Sequence, residues 1–135
     1  MYLIDTSVLS EARRGDPRAV TWLRGIDPLL AYLSVVTVGE IAKGIEMKRR
    51  HDTATAVALS SWLAAILQRY ERRILPVDQA AMLAWGRLQA ARPRPAMDCL
   101  IAATALAHGK IVVTRNDTDF AGTGLEIINP WTLSA

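Results

Sequence analysis

Short apolar runs recur along the chain, and a stretch with helical spacing of its apolar residues follows nearly every one. This alternation constrains the fold more than any other feature. Residues 2–4 form the first run, stopped by Asp5; residues 32–36, 74–77, 110–114 and 125–128 are the others. Such short, β-branched, almost continuously apolar runs fit strands buried on both faces of a parallel sheet. Between them, helices are expected over 7–14, 17–24, from Thr37 to about 50, from Asp52 onward, from Asp78 to about 91 and over 97–108. Asp16-Pro17 supplies an N-cap and a first-turn proline, while Gly15, Gly25 and Gly109 punctuate helix ends. The helix after Asp52 carries Leu59, Trp62, Leu63, Ile66, Leu67 and Tyr70 on one stripe. Residues 92–95, ArgProArgPro, cannot be regular helix, because each proline removes an N–H and pushes its predecessor toward extended geometry. The predicted architecture is a three-layer α/β/α sandwich with a central, mostly parallel sheet, one domain over residues 1–135.

Composition narrows the function classes. A hydrophobic share of 51% excludes a disordered chain. Charged or turn residues interrupt every apolar run before it reaches membrane-spanning length, so no membrane partner is expected. The opening MYLIDTS lacks the charged and long apolar regions of a secretory leader, and the lone Cys99 cannot form an internal disulfide. A cytoplasmic location is the expectation. Net charge is +3, mildly favourable to a polyanionic partner. The basic residues are clumped: Arg13 and Arg14; Lys48, Arg49 and Arg50; Arg69, Arg72 and Arg73; Arg92 and Arg94. Each clump reads either as a solvated helix end or as part of a path for phosphates.

In parallel sheets flanked by helices, ligands bind beyond the carboxyl ends of the strands. Asp5 follows the first strand, and Glu40 is expected in the first turn of the helix after the second. Asp98 opens the helix after the proline loop, and Asp117 and Asp119 follow the fourth strand. Four segments thus deliver acids to one edge. Carboxylates gathered there repel one another, a cost that a cation removes. With no His or Cys cluster, the donor set suits Mg²⁺, with Mn²⁺ as a substitute, and not zinc. Each acid also has a purely structural explanation. Asp5 is placed to cap a helix, and Thr37-Val-Gly-Glu40 matches a capping box. Asp98 suits a helix dipole, and Asp117 and Asp119 suit a turn. Thr6, Ser7, Thr114 and Asn116 are placed to orient Asp5, hold waters or bond a phosphate oxygen. Arg115 is placed either to meet a phosphate or to pair with a nearby acid.

The segments MYLIDTSVLSE, SVVTVGEIAKGIE, RILPVDQAA, MDCLIAATALAHG, VVTRNDTDF and INPW together resemble the PIN-domain family, specifically the VapC and FitB-like toxins of bacterial type II toxin–antitoxin pairs. The resemblance covers nearly the whole chain. It implies that Asp5, Glu40 and Asp98 are core metal ligands and that the family's TRN-x-x-DF pattern places a fourth acid at Asp119, with Asn116 and Asp117 as helpers. It further implies Mg²⁺-dependent endonucleolytic cleavage of RNA, a homodimer or toxin–antitoxin hetero-oligomer, and inhibition by a VapB-like antitoxin. ArgProArgPro departs from relatives that carry a glycine before this helix.

Two other phosphate chemistries fit poorly. A haloacid-dehalogenase-type phosphatase needs a second aspartate two residues after the first, where Ser7 stands. A receiver domain needs a lysine after the last strands, and none follows Lys110. The remaining alternative is a catalytically inert PIN-like module that binds RNA or protein.

Overall fold

The computed structural model describes residues 1–133; the last two positions of the expected 1–135 domain lie outside them. Five strands, β1 (Tyr2–Ile4), β2 (Ala31–Ser34), β3 (Ile74–Leu75), β4 (Ile111–Val113) and β5 (Ile127–Ile128), form one sheet in the order β3-β2-β1-β4-β5. All four pairings are parallel. The helices are α1 (Thr6–Arg13), α2 (Pro17–Arg24), α3 (Val35–Arg49), α4 (Thr53–Arg69), α5 (Gln79–Ala91), α6 (Ala96–His108) and the single turn α7 (Asp117–Phe120). A parallel sheet covered on both faces is what the alternation predicts.

The pleat divides each strand between two cores. Ile4, Leu33 and Val113 pack with α1, α3 and α4 on one face, while Leu3 and Val112 pack with α5 and α6 on the other. Leu59, Trp62, Leu63, Ile66 and Tyr70 of the α4 stripe join the first core. Leu67 does not: it stays 39% exposed at the edge of the stripe. The proline segment is non-helical, and Gly109 closes α6 in the left-handed region at φ 64°.

Several boundaries differ from the sequence expectation, the fourth strand among them, which spans Ile111–Val113 and not 110–114. The second strand stops at Ser34 instead of running to residue 36, because Ser34 Oγ accepts from Val36 N at 3.0 Å and caps α3. Val35 and Val36 are β-branched, yet burial of Val36 and Thr37 within the helix overrides that preference. The third and fifth strands are trimmed to two residues each. The segment after β4, where Asp117 and Asp119 suit a turn, contains α7, whose Phe120 is fully buried and anchors it.

Candidate metal centre

Every acid predicted for the site lies beyond the carboxyl edge of the sheet. β1 runs directly into Asp5, which occupies the N-cap position of α1 and is 2% exposed. Its side chain is held from two directions. Ser7 Oγ donates to Asp5 Oδ2 at 2.7 Å, and Thr114 Oγ1, at the end of β4, donates to the same oxygen at 2.8 Å. Burial pushes the Asp5 carboxyl above its usual range, and these two hydroxyls oppose the rise.

Glu40 lies in the second turn of α3, not the first, because the helix starts at Val35. The capping-box explanation fails for the same reason: Ser34 is the cap, and Thr37 is buried inside the helix. Instead, Thr6 Oγ1 donates to Glu40 Oε1 at 2.7 Å and sits 2.8 Å from Thr37 Oγ1. Thr6 has one hydroxyl proton and an ionised carboxylate can only accept, so Thr37 donates to Thr6. The chain Thr37–Thr6–Glu40 fixes the glutamate as Ser7 and Thr114 fix Asp5.

Asp98 lies in the first turn of α6 and is half-buried. Its pKa is pushed up to about 7, first by burial, then by a hydrogen bond with the Asp119 carboxyl, then by the charges of Asp5, Asp119 and Glu40. These causes place the four acids within electrostatic reach of one another. Among the described residues, no three His, Cys, Asp or Glu side chains already form a group that could grip an ion. The acids influence Asp98 without closing on a common point.

The helpers divide. Asn116 is exposed, and its backbone N–H donates to Thr114 Oγ1 at 2.9 Å. Asp117 is exposed, and its Oδ2 accepts from Asn129 Nδ2 at 3.3 Å, outside the group that perturbs Asp98. Arg115 donates its backbone N–H to Ser7 Oγ at 3.3 Å. Its guanidinium lies 4.8 Å from the centroid of the Trp131 ring and 3.7 Å from Glu11 Oε2, so it pairs with an acid at the rim. Sequence reasoning assigned no site role to Thr37, Glu11, Asn129 or Trp131. Asn129 carried a readable signal, since it follows the last strand at the same edge, and its Nδ2 also donates to the Arg115 carbonyl at 3.2 Å.

An edge built of carboxylates on a five-stranded parallel sheet defines a class, and comparison with known proteins agrees: residues 2–125 match the PIN domain, and the chain belongs to that family. Within it, the chain is 34% identical to the VapC ribonuclease Y4jK of Sinorhizobium fredii, covering 97% of this chain and 98% of that protein. It is 31% identical to the toxin FitB of Neisseria gonorrhoeae, covering 97% and 99%. The crystal structure of FitAcB from Neisseria gonorrhoeae superposes with a TM-score of 0.90 at 32% identity, covering 98% of this chain and 100% of that one. No helix among the described residues is long and apolar enough to cross a membrane.

Proposed function

We propose that residues 1–135 form one ribonuclease domain, the toxin of a type II toxin–antitoxin pair, which cleaves RNA endonucleolytically with Mg²⁺ in the cytoplasm. The observation that carries this reading is the raised pKa of Asp98, pushed up by burial and then by Asp119, Asp5 and Glu40, which three other elements bring near it. Likeness over nearly full length to a VapC ribonuclease and to a FitB toxin supports it.

The donor chemistry fits a hard divalent ion. The cup offers carboxylate oxygens and hydroxyls, while Cys99 is fully buried and His108 pairs with Asp78 at the far end of α6. Asp5 and Asp98 would hold the ion, Glu40 would support it or its water, and Asp119 would complete a weaker second position; Mn²⁺ would substitute. When bound, such an ion polarises the scissile phosphate and lowers the pKa of a water nucleophile. Ser7 and Thr114 keep one Asp5 oxygen engaged and leave the other for the cup. Thr6 does the same for Glu40. Asp98 shares a hydrogen bond with the Asp119 carboxyl, which holds the two side chains together at the edge of the cup. A VapB-like antitoxin and a second copy of the chain are the proposed protein partners.

Purified protein incubated with an RNA pool is expected to cleave internally with Mg²⁺ or Mn²⁺ and not with chelator. Asp5→Asn and Asp98→Asn cleaving as fast as the parent would end this reading. The open arrangement of the acids favours one rival, an inert PIN-like module that binds RNA or protein. Such a module shows no Mg²⁺-linked rise in Tm and no cleavage of any pool.

A further inference from the structure

The basic clumps of the sequence separate once their partners are known. Arg73 donates to the carbonyls of Pro28, Ala31 and Arg69. Arg92 and Arg94 both donate to the Ala121 carbonyl, and Arg94 also to that of Leu88 at 2.6 Å. These side chains bolt loops together through their terminal guanidinium nitrogens, while Arg94 Nε is buried without a partner.

Arg13, Arg14 and Lys48 behave differently. They come from two clumps far apart in sequence, yet meet over one pocket of about 230 Å³ between α1, α3 and α4, with Ser10, Thr55 and Trp62 on its walls. Arg13 is steadied by the Trp62 ring, 5.7 Å from its centroid. Among the described residues, neither Arg13 nor Lys48 makes an ion pair. The nearby carboxylates are Glu11, 3.0 Å from Arg14, and Asp52, whose oxygens accept from the backbone N–H and hydroxyl of Thr55. Cations therefore outnumber acids around the pocket, and the Ser10 hydroxyl adds a neutral donor.

Its position relative to the acidic cup is set by two helices. α1 leads from Asp5 to Arg13 and α3 leads from Glu40 to Lys48, eight residues in each case, or about 12 Å of helix. Glu11 links the two ends, with Arg115 at the cup on one oxygen and Arg14 at the pocket on the other. Arg115, Arg14, Arg13 and Lys48 thus make a cationic rail leading away from the carboxylates.

We propose that this pocket is a phosphate subsite for the RNA strand, gripping a backbone phosphate roughly 12 Å from the one at the acidic cup. The proposal rests on the ribonuclease reading. A strand of RNA is favoured over an acidic protein segment because the rail begins where that reading places the scissile phosphate, and because the pocket's volume suits a phosphate group and not a helix.

The test pairs Arg13→Gln with Lys48→Gln in one variant and measures binding of a labelled single-stranded RNA against salt, alongside cleavage kinetics. The slope of log affinity against log salt is expected to shrink by about 0.7, the value for one lost phosphate contact on a single strand. KM for a long RNA should rise about tenfold with kcat unchanged, and a dinucleotide too short to reach the pocket should be unaffected. Arg13→Lys with Lys48→Arg, which keeps both charges, should restore binding and separates charge from packing against Trp62. An unchanged salt slope in the neutral variant overturns the proposal. So does an equal loss for the dinucleotide, or a polyglutamate peptide whose binding is lost while RNA binding stays. The binding measurement reads the pocket even if the parent protein cleaves nothing, an outcome that strikes the ribonuclease reading alone.

Discussion

The Thr114 hydroxyl donates to Asp5 Oδ2 across 2.8 Å, joining two residues 109 positions apart in the chain. The bond exists because β1 and β4 are parallel neighbours, with Ile4 in register with Val113, so both strands release their next residue at the same edge. It is fully buried and directed at a carboxylate, the setting in which a hydrogen bond contributes most.

Thr114→Val removes that donor while keeping shape. The expected loss of stability is about 1.5–3 kcal/mol by urea unfolding in chelator. On the proposed function, the Mg²⁺ concentration giving half-maximal cleavage should rise roughly 10- to 100-fold, because Asp5 would lose a group that orients it. Unchanged Mg²⁺ dependence would remove Thr114 from the positioning role.

The pH dependence follows from Asp98. Its folded pKa of about 7 lies above the ordinary 3.8, so the folded protein keeps a proton that the unfolded chain releases. Stability without metal is therefore greatest below 3.8 as far as this group is concerned, and is lost as pH rises toward 7. Asp5, also raised, acts in the same direction. In chelator, Tm should fall between about pH 4 and pH 7, and Asp98→Asn should flatten that fall. Mg²⁺ should raise Tm more at the upper end of the range, where the carboxylates are ionised.

Substitution within the cup and at its rim should separate cleanly. Asp5→Asn, Asp98→Asn and Asp119→Asn are each expected to lower cleavage at least about 100-fold at fixed Mg²⁺. Asp117→Asn, whose carboxylate is turned to Asn129, should stay within a few-fold of the parent. Initial rates on one RNA substrate measure all four; a large effect at Asp117 would redraw the site.

Arg94→Ala tests the division of the basic residues. Its guanidinium donates to the Leu88 and Ala121 carbonyls, the second of which it shares with Arg92, so the variant should unfold about 1–3 kcal/mol more easily. The salt dependence of RNA binding should stay as in the parent. A changed salt slope there would make Arg94 a phosphate contact.

Local pattern settled much of this protein in advance. The strands at residues 2–4 and 111–113 are short apolar runs, and the caps at Asp16, Asp52 and Asp78 are residue types whose side chains bond the first turn. The parallel sheet follows from helices intervening between strands, and the location of the acids follows from counting residues past each strand. What the sequence could not decide were contacts between distant segments. Whether Val35 and Val36 extend a strand or open a helix depended on Ser34 and on burial, and Glu40 moved by a turn as a result. Which basic side chains are bound to loop carbonyls, that Arg115 lies on Trp131, and that Thr37 supports Thr6 are facts of tertiary packing. Periodicity and capping act over one or two turns, so they are written in consecutive residues. Electrostatic coupling and hydrogen bonding depend on distance through space, and only the folded chain sets that distance.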